Sequence, residues 1–253
     1  MRQIEPIAHI HTDFPGKFGV PRQSGLVAGL QGRIVFCPPF RDPDALRGLE
    51  DFSHLWLIWG FSANRPNGPA HARNNAAGTA SDEVPAYTWQ PTVRPPRMGG
   101  NKAFGVFATR SPFRPNGLGL SSVEIGHIEL KTPQGPIIHV LGADLTDGTP
   151  IYDIKPYLAY TDAHPQARGG FTDTTARRLL PVSDPDNRLE ILPADKRLQA
   201  LELIAQDPRP SYQRDAGRVY GLPFAGHDIK FQVNVDRATI TDVMPLSGYH
   251  SKV

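Results

Sequence analysis

Apolar and polar residues alternate most cleanly near the end of the chain, where Phe231, Val233 and Val235 are interleaved with Gln232, Asn234 and Asp236. A period of two puts successive side chains on opposite faces, so this run predicts a half-buried strand. Clusters of β-branched and aromatic residues between turn formers predict further strands at 32–36, 54–61, 104–109, 120–130 (bent at Gly126) and 137–145. In the 54–61 run, Leu55, Leu57, Trp59 and Phe61 share one face while Trp56 and Ile58 occupy the other. Both faces are apolar, which suits an interior strand of a barrel or covered sheet. These strands follow one another without the intervening helices a parallel βαβ sheet requires, so the pattern predicts an antiparallel barrel or sandwich.

A period near 3.6 appears only late. Residues 193–206 fit an amphipathic helix with Leu198, Leu201, Ile204 and Ala205 on one stripe, Pro193 at its start, and Pro208 and Pro210 beyond its end. Between these regions, residues 162–173 carry Pro165, Gly169 and Gly170 and read as a linker. The expected fold class is therefore mainly β, a small antiparallel N-terminal β-barrel over 1–165 followed by a smaller C-terminal α+β domain over 170–253. Residues 64–85 are small and polar, and read as a long loop.

Composition changes this picture little. The 26 prolines and 24 glycines among 253 residues favour a turn-rich β architecture. The single cysteine, Cys37, excludes an internal disulfide and a cysteine-cluster metal site. With no apolar leader and no apolar run near 18 residues, the cytoplasm is the expected location and no membrane contact is expected. Dinucleotide, P-loop and zincin motifs are absent, and the Gly-Leu-Gly at 117–119 reads as a tight turn. His9 and His11 form a surface pair without a third ligand, so no metal is expected.

Charge does change the picture. From Val84 to Val123 there is no Asp or Glu, yet Arg94, Arg97, Lys102, Arg110 and Arg114 all lie there, in a chain of formal net charge +2. Such concentration points to an anionic ligand. Two other readings of the segment remain: a solvated loop, or a proline-rich peptide at 91–97 docking to a partner groove.

Several motifs, in order, resemble one family: FGVPRQSGL at 18–26, GLEDFSHLW at 48–56, PTVRPPR at 91–97, GVFATRS at 105–111, RPN at 114–116, DGTPIYDIKPY at 147–157 and QDPRPSY at 206–212. Together they are similar to the TrmO (YaeB/TsaA-like) family of S-adenosylmethionine-dependent tRNA N6-methyltransferases, which act on threonylcarbamoyladenosine at position 37. The resemblance implies an N-terminal β-barrel that binds S-adenosylmethionine without a Rossmann fingerprint, a tRNA substrate and a homodimer. For cofactor contacts it points to Pro21, Arg22, Gln23, Ser62, Arg110, Leu120, Leu141 and Asp144. Arg110, at an expected strand end, would hold the amino-acid carboxylate in a fork. Asp147, Asp153 and Tyr157 are the candidates for accepting the N6 proton. Arg94, Arg97, Lys102 and Arg114, extended by Arg209 and Arg214, are the expected phosphate contacts. The competing reading is an RNA-binding barrel without catalysis.

Overall fold

The computed structural model describes residues 4–61, 89–95, 102–174, 178–209, 215 and 217–246. Six strands close into an antiparallel barrel: β1 (Ala8–Thr12), β2 (Gln31–Phe36), β3 (His54–Gly60), β6 (Leu118–Glu129), β7 (Ile137–Leu141) and β8 (Thr149–Pro156). Around the barrel the order is β1-β2-β7-β6-β3-β8, with β8 returning to β1. Closure removes exposed strand edges and gives both sides of every strand a hydrogen-bonding neighbour. The inward residues are the alternate apolar ones: Ile10, Ile34, Leu55, Leu57, Val123, Ile138, Val140 and Ile151 are all essentially buried. β6 is bent by a register shift between Ile125 and His127, at the expected Gly126.

The expected strands at 32–36, 54–61, 120–130 and 137–145 are all present, the last ending at Leu141. β7 stops there because Gly142 turns with φ 74°. Residues 104–109 depart from expectation. Only β5 (Phe104–Gly105) pairs, with β4 (Thr92–Val93), and Val106–Ala108 is a 3-10 turn. The Thr109 hydroxyl and backbone amide both bond back to the Val106 carbonyl, at 2.9 and 3.1 Å, and this local closure outcompetes strand pairing. β1 and β8 escaped the pattern, because β1 buries only Ala8 and Ile10 as apolar positions and a register shift interrupts the alternation of β8.

The direction of each strand sorts the loops into two sets. Residues 13–30 and 142–148 emerge at one end of the barrel, where β3 also ends and β6 begins, and 37–53 and 130–136 at the other. β8 exits at the second end into a single helical turn, α1 (Ala159–Asp162).

The C-terminal part holds β9 (Val182–Ser183), α2 (Ala194–Ala205) and the meander β10 (Val219–Phe224), β11 (His227–Asn234) and β12 (Arg237–Pro245), in the sheet order β10-β11-β12-β9. The helix falls where the sequence placed it, but a different face is buried. Gln199, Ala200, Leu203 and Ile204 face the core, while Leu198 is 59% exposed. Val235 is also outside, almost fully exposed with φ 54° in the two-residue turn joining β11 to β12. The second core is not built from the C-terminal segment alone. Phe14, Val27 and Leu30 of the 13–30 loop are buried in it with Leu203, Ile204, Phe224 and Phe231. Polar contacts tighten the same junction: Lys196 Nζ lies 2.7 Å from Asp13, and Gln199 Nε2 donates to the Gly29 carbonyl at 2.7 Å. The C-terminal sheet and helix thus brace a loop that opens at the first end of the barrel.

Candidate functional site

A chain of polar contacts runs from the barrel interior to that end. Trp59 and Ser121 both point inward, and the indole Nε1 donates to the Ser121 hydroxyl at 3.0 Å. The hydroxyl in turn donates to Asp144 Oδ1 at 2.6 Å. The indole lies across Gly119, its cross-strand partner, where any Cβ would sit within 2.3 Å of the ring. A glycine is therefore needed at 119 for Trp59 to reach Ser121.

Burial pushes the Asp144 carboxyl up from its ordinary value, against the Ser121 hydrogen bond, a backbone bond from Ser24 and the nearby Arg110 charge, which act the other way. A mostly desolvated carboxylate with one cation beside it is primed to accept a hydrogen bond or meet a second positive charge. Arg110 Nη1 donates to Gln23 Oε1, which links the 104–114 segment to the 13–30 loop. That loop is held to the turn after β7 by the Gly25 amide, which donates to the Gly142 carbonyl at 2.9 Å. Both glycines have φ 74°, and a Cβ on Gly142 would crowd the Gly25 backbone at 3.3 Å. Gln23, Arg110 and Asp144 thus converge from three loops far apart in sequence.

The remaining expected cofactor residues sit around them. Pro21 is buried and Arg22 exposed on the same loop, next to the end of α2. Leu141 is the last residue of β7, and Leu120 faces outward on β6, 53% exposed and opposite Ile58. Ser62 lies outside the described residues. The donor set fits S-adenosylmethionine: a guanidinium for a carboxylate, a buried acid for an ammonium or ribose hydroxyl, an amide, and apolar side chains.

The three proton-acceptor candidates separate. Asp147 belongs to the same barrel end, and its Oδ1 lies 3.0 Å from His11 Nδ1 and accepts from the Thr12 amide at 3.3 Å. Asp153 lies on the outer wall opposite Ile58 and is ion-paired to Lys155 at 3.0 Å. Tyr157 belongs to the other end, where its ring packs against His54 and Trp56. The structure does not bring it to the cluster.

The basic residues also divide. Arg94 and Lys102 are exposed, and Lys102 lies 5.3 Å from the centre of the Phe104 ring. Arg114 Nη1 donates to the Thr109 and Ser111 carbonyls and braces the turn after the 3-10 segment. Arg209 is mostly buried, in a two-point contact with Asp207 that raises its pKa further and already meets its charge. Arg97 and Arg214 lie outside the described residues.

Two features were missed in the sequence. Ser121 was signalled by its place between inward positions of an apolar barrel strand, next to Val123. His127, Glu129 and His139 bring three potential metal-ligand atoms within 4.8 Å of one another on the outer wall. The hairpin between β6 and β7 pairs His127 with His139, and alternation puts Glu129 on the same face. Burial and the neighbouring His127 hold His139 below its ordinary value, while Glu129 pulls the other way. The rings stack nearly parallel at 4.0 Å. His9 and His11 find separate partners, Cys37 Sγ at 3.8 Å and Asp147.

Comparison with known proteins agrees with this architecture. The family model of the tRNA-methyltransferase O N-terminal domain matches residues 9–163, and that of the TrmO C-terminal domain matches 188–246. The chain is 37% identical over 240 residues to a tRNA (adenine(37)-N6)-methyltransferase of Escherichia coli, covering 91% of this chain and 93% of that protein. It is 35% identical over 252 residues to a putative S-adenosylmethionine-dependent methyltransferase of Pseudomonas aeruginosa, covering 97% of each. The crystal structure of TrmO from Pseudomonas aeruginosa superposes with a TM-score of 0.69 at 29% identity, over 96% of this chain and 98% of that one. With both of its domain models matched in order and a relative aligned nearly end to end, the chain is a member of the TrmO family.

Proposed function

We propose that this protein transfers the methyl group of S-adenosylmethionine to N6 of adenine 37 in tRNA, with threonylcarbamoyladenosine as the nucleoside it accepts. The observation that carries the reading is the convergence of Gln23, Arg110 and Asp144 at one barrel end, in a chain aligned nearly end to end with an enzyme of that name. When bound, S-adenosylmethionine supplies a methyl group activated by the sulfonium charge. Arg110 holds the cofactor carboxylate, Gln23 orients that guanidinium, and Asp144 takes the ammonium or a ribose hydroxyl. Pro21, Arg22, Ser62, Leu120 and Leu141 complete the contacts. The substrate nitrogen is a weak nucleophile and must give up a proton, so positioning contributes much of the rate. Of the three acid–base candidates, Asp147 is the best placed to accept that proton, because it shares the cofactor end and has His11 beside it.

The proposal includes Arg94, Arg97 and Lys102 as phosphate contacts, a cytoplasmic location, a homodimer of twice 27.8 kDa, and a division of the chain near 165–170. Among the described residues no helix is long and apolar enough to cross a membrane.

The test is to incubate the purified protein with S-adenosylmethionine and tRNA from a strain that lacks it, then analyse the nucleosides by mass spectrometry. The expected product is threonylcarbamoyladenosine heavier by one methyl group. Tight tRNA binding without any methylated nucleoside would favour the non-catalytic barrel. Replacing Arg94, Arg97 and Lys102 with Gln should lower the log–log salt slope of tRNA binding by about 0.7–0.9 per lost contact. Cofactor affinity should stay as it was.

A further inference from the structure

The segment that carries Arg110 also exposes aromatic rings that the cofactor contacts leave unused. Trp89 is 45% exposed and Phe107 72% exposed, against a general tendency of such side chains to be covered. Their rings lie near-parallel, 23° apart, with centroids 6.4 Å from each other. Phe113, also exposed, follows on the same turn. The backbone beneath is tied down. The Gln90 amide donates to the Phe113 carbonyl at 3.0 Å, and the Val106 amide to Pro91 at 2.9 Å. Val106 is buried, and Phe104 packs against Phe171 at 4.4 Å. The two exposed rings therefore stand on a fixed base, not a loose loop.

Their setting is positive. No acid occurs between Val84 and Val123. Arg94 and Lys102 are exposed on the same segment, at the far end of the β4–β5 pair from the rings, and neither forms an ion pair among the described residues. Phe107 is three residues from Arg110, at most about 11 Å along the chain, so the patch adjoins the cofactor end. Exposed aromatic faces on a basic, acid-free segment match the chemistry of unpaired nucleobases on a phosphate backbone. An adenine presented to a methyl donor must also leave its stack, at a cost of a few kcal/mol. A ring platform next to the site offsets that loss by stacking a neighbouring base.

We propose that Trp89 and Phe107 form a stacking platform for an unpaired base flanking the target adenine in the tRNA anticodon loop. The proposal rests on the tRNA reading above.

The probe is a synthetic anticodon stem-loop RNA, with a loop-free duplex of the same length as control. The double variant Trp89→Ala/Phe107→Ala should bind the stem-loop about tenfold or more weakly. The duplex affinity and the salt slope of the stem-loop should stay unchanged, because no phosphate contact is removed. Trp56 and Trp59 are half-buried or buried, so Trp89 dominates the accessible fluorescence. Stem-loop binding should quench it in the wild type and not in Trp89→Phe, which should keep most of the affinity. Thermal midpoints should match, since both side chains are exposed.

Unchanged stem-loop affinity in the double variant would overturn the platform while leaving the methyl-transfer reading intact. So would a lowered salt slope, which would mean lost phosphate contacts. A shift from dimer to monomer in sedimentation would mark the patch as a contact between copies, and would overturn it too. If the wild type binds neither RNA, the tRNA reading itself fails.

Discussion

The two ends of the barrel are built from the same strands and carry opposite chemistry. At the end where 13–30, 102–117 and 142–148 lie, an acid, an amide and a guanidinium meet, and a hydrogen-bonded chain ties them to the core through Ser121 and Trp59. At the other end, residues 37–53 shape an open apolar recess of about 530 Å³, lined by Ile7, Phe36, Phe40, Leu46, Leu49 and Pro156, with Asp42 and Arg47 also on its wall. Asp42 accepts from the Asp44 amide, and Arg47 pairs with Asp44 at 2.6 Å. Among the described residues this hollow thus lacks convergent, unsatisfied polar groups. Convergent polar side chains, more than cavity volume, are what favour the first end as the proposed cofactor site.

The tryptophans of β3 give the largest expected contrast. Trp59 is interior and belongs to the polar chain, whereas Trp56 is half-buried on the outer wall and donates to Asp162 at 2.8 Å. Trp59→Ala should cost about 3–5 kcal/mol by emptying a packed site, with the indole bond to Ser121 also lost. Trp56→Phe should cost much less, because the hydrogen bond it loses is to the partly solvent-exposed carboxylate of Asp162. Urea unfolding of both variants measures this, and a larger loss for Trp56 would reverse the comparison.

Asp144→Asn sharpens it through pH. The folded carboxyl titrates above its ordinary value of 3.8 because it is buried. Below 3.8 both folded and unfolded chains hold the proton. As pH rises past that value the unfolded chain releases its proton first, so stability falls until the folded pKa is passed. The ligand-free Asn variant lacks this loss. Its melting temperature should exceed that of the wild type at pH 8, and the advantage should shrink as pH falls toward 4. Cofactor binding by the same variant should weaken. An Asn variant equally destabilised at both pH values would show that Asp144 carries no desolvation penalty.

Much of the barrel was legible because alternation survives in β2, β3, β6 and β7. β1 and β8 were not, since β1 has only Ala8 and Ile10 as buried apolar positions between its histidines, and a register shift breaks the alternation of β8. The helical stripe was misphased because Gln199 is buried to reach the Gly29 carbonyl, while Leu198 stays outside. The sequence pointed to Gln23, Arg110 and Asp144 as cofactor contacts but said nothing of what joins them. Ser121 links Asp144 to Trp59, and the brace beneath Gln23 comes from residues roughly 170 positions later in the chain. Such long-range support has no local periodicity to reveal it. Resemblance also grouped Tyr157 with the acids, whereas strand direction sends it to the opposite end.

We propose that the polar end, and not the apolar one, binds S-adenosylmethionine. Calorimetric titration of the wild type, Arg110→Ala and Phe40→Ser with S-adenosylmethionine tests it directly, Phe40 being an exposed residue of the recess. Arg110→Ala should lose about 2–3 kcal/mol of binding, the cost of a charge-assisted carboxylate contact. Phe40→Ser should titrate like the wild type. Unchanged affinity in Arg110→Ala together with a loss in Phe40→Ser would place the cofactor at the wrong end of the barrel for this account.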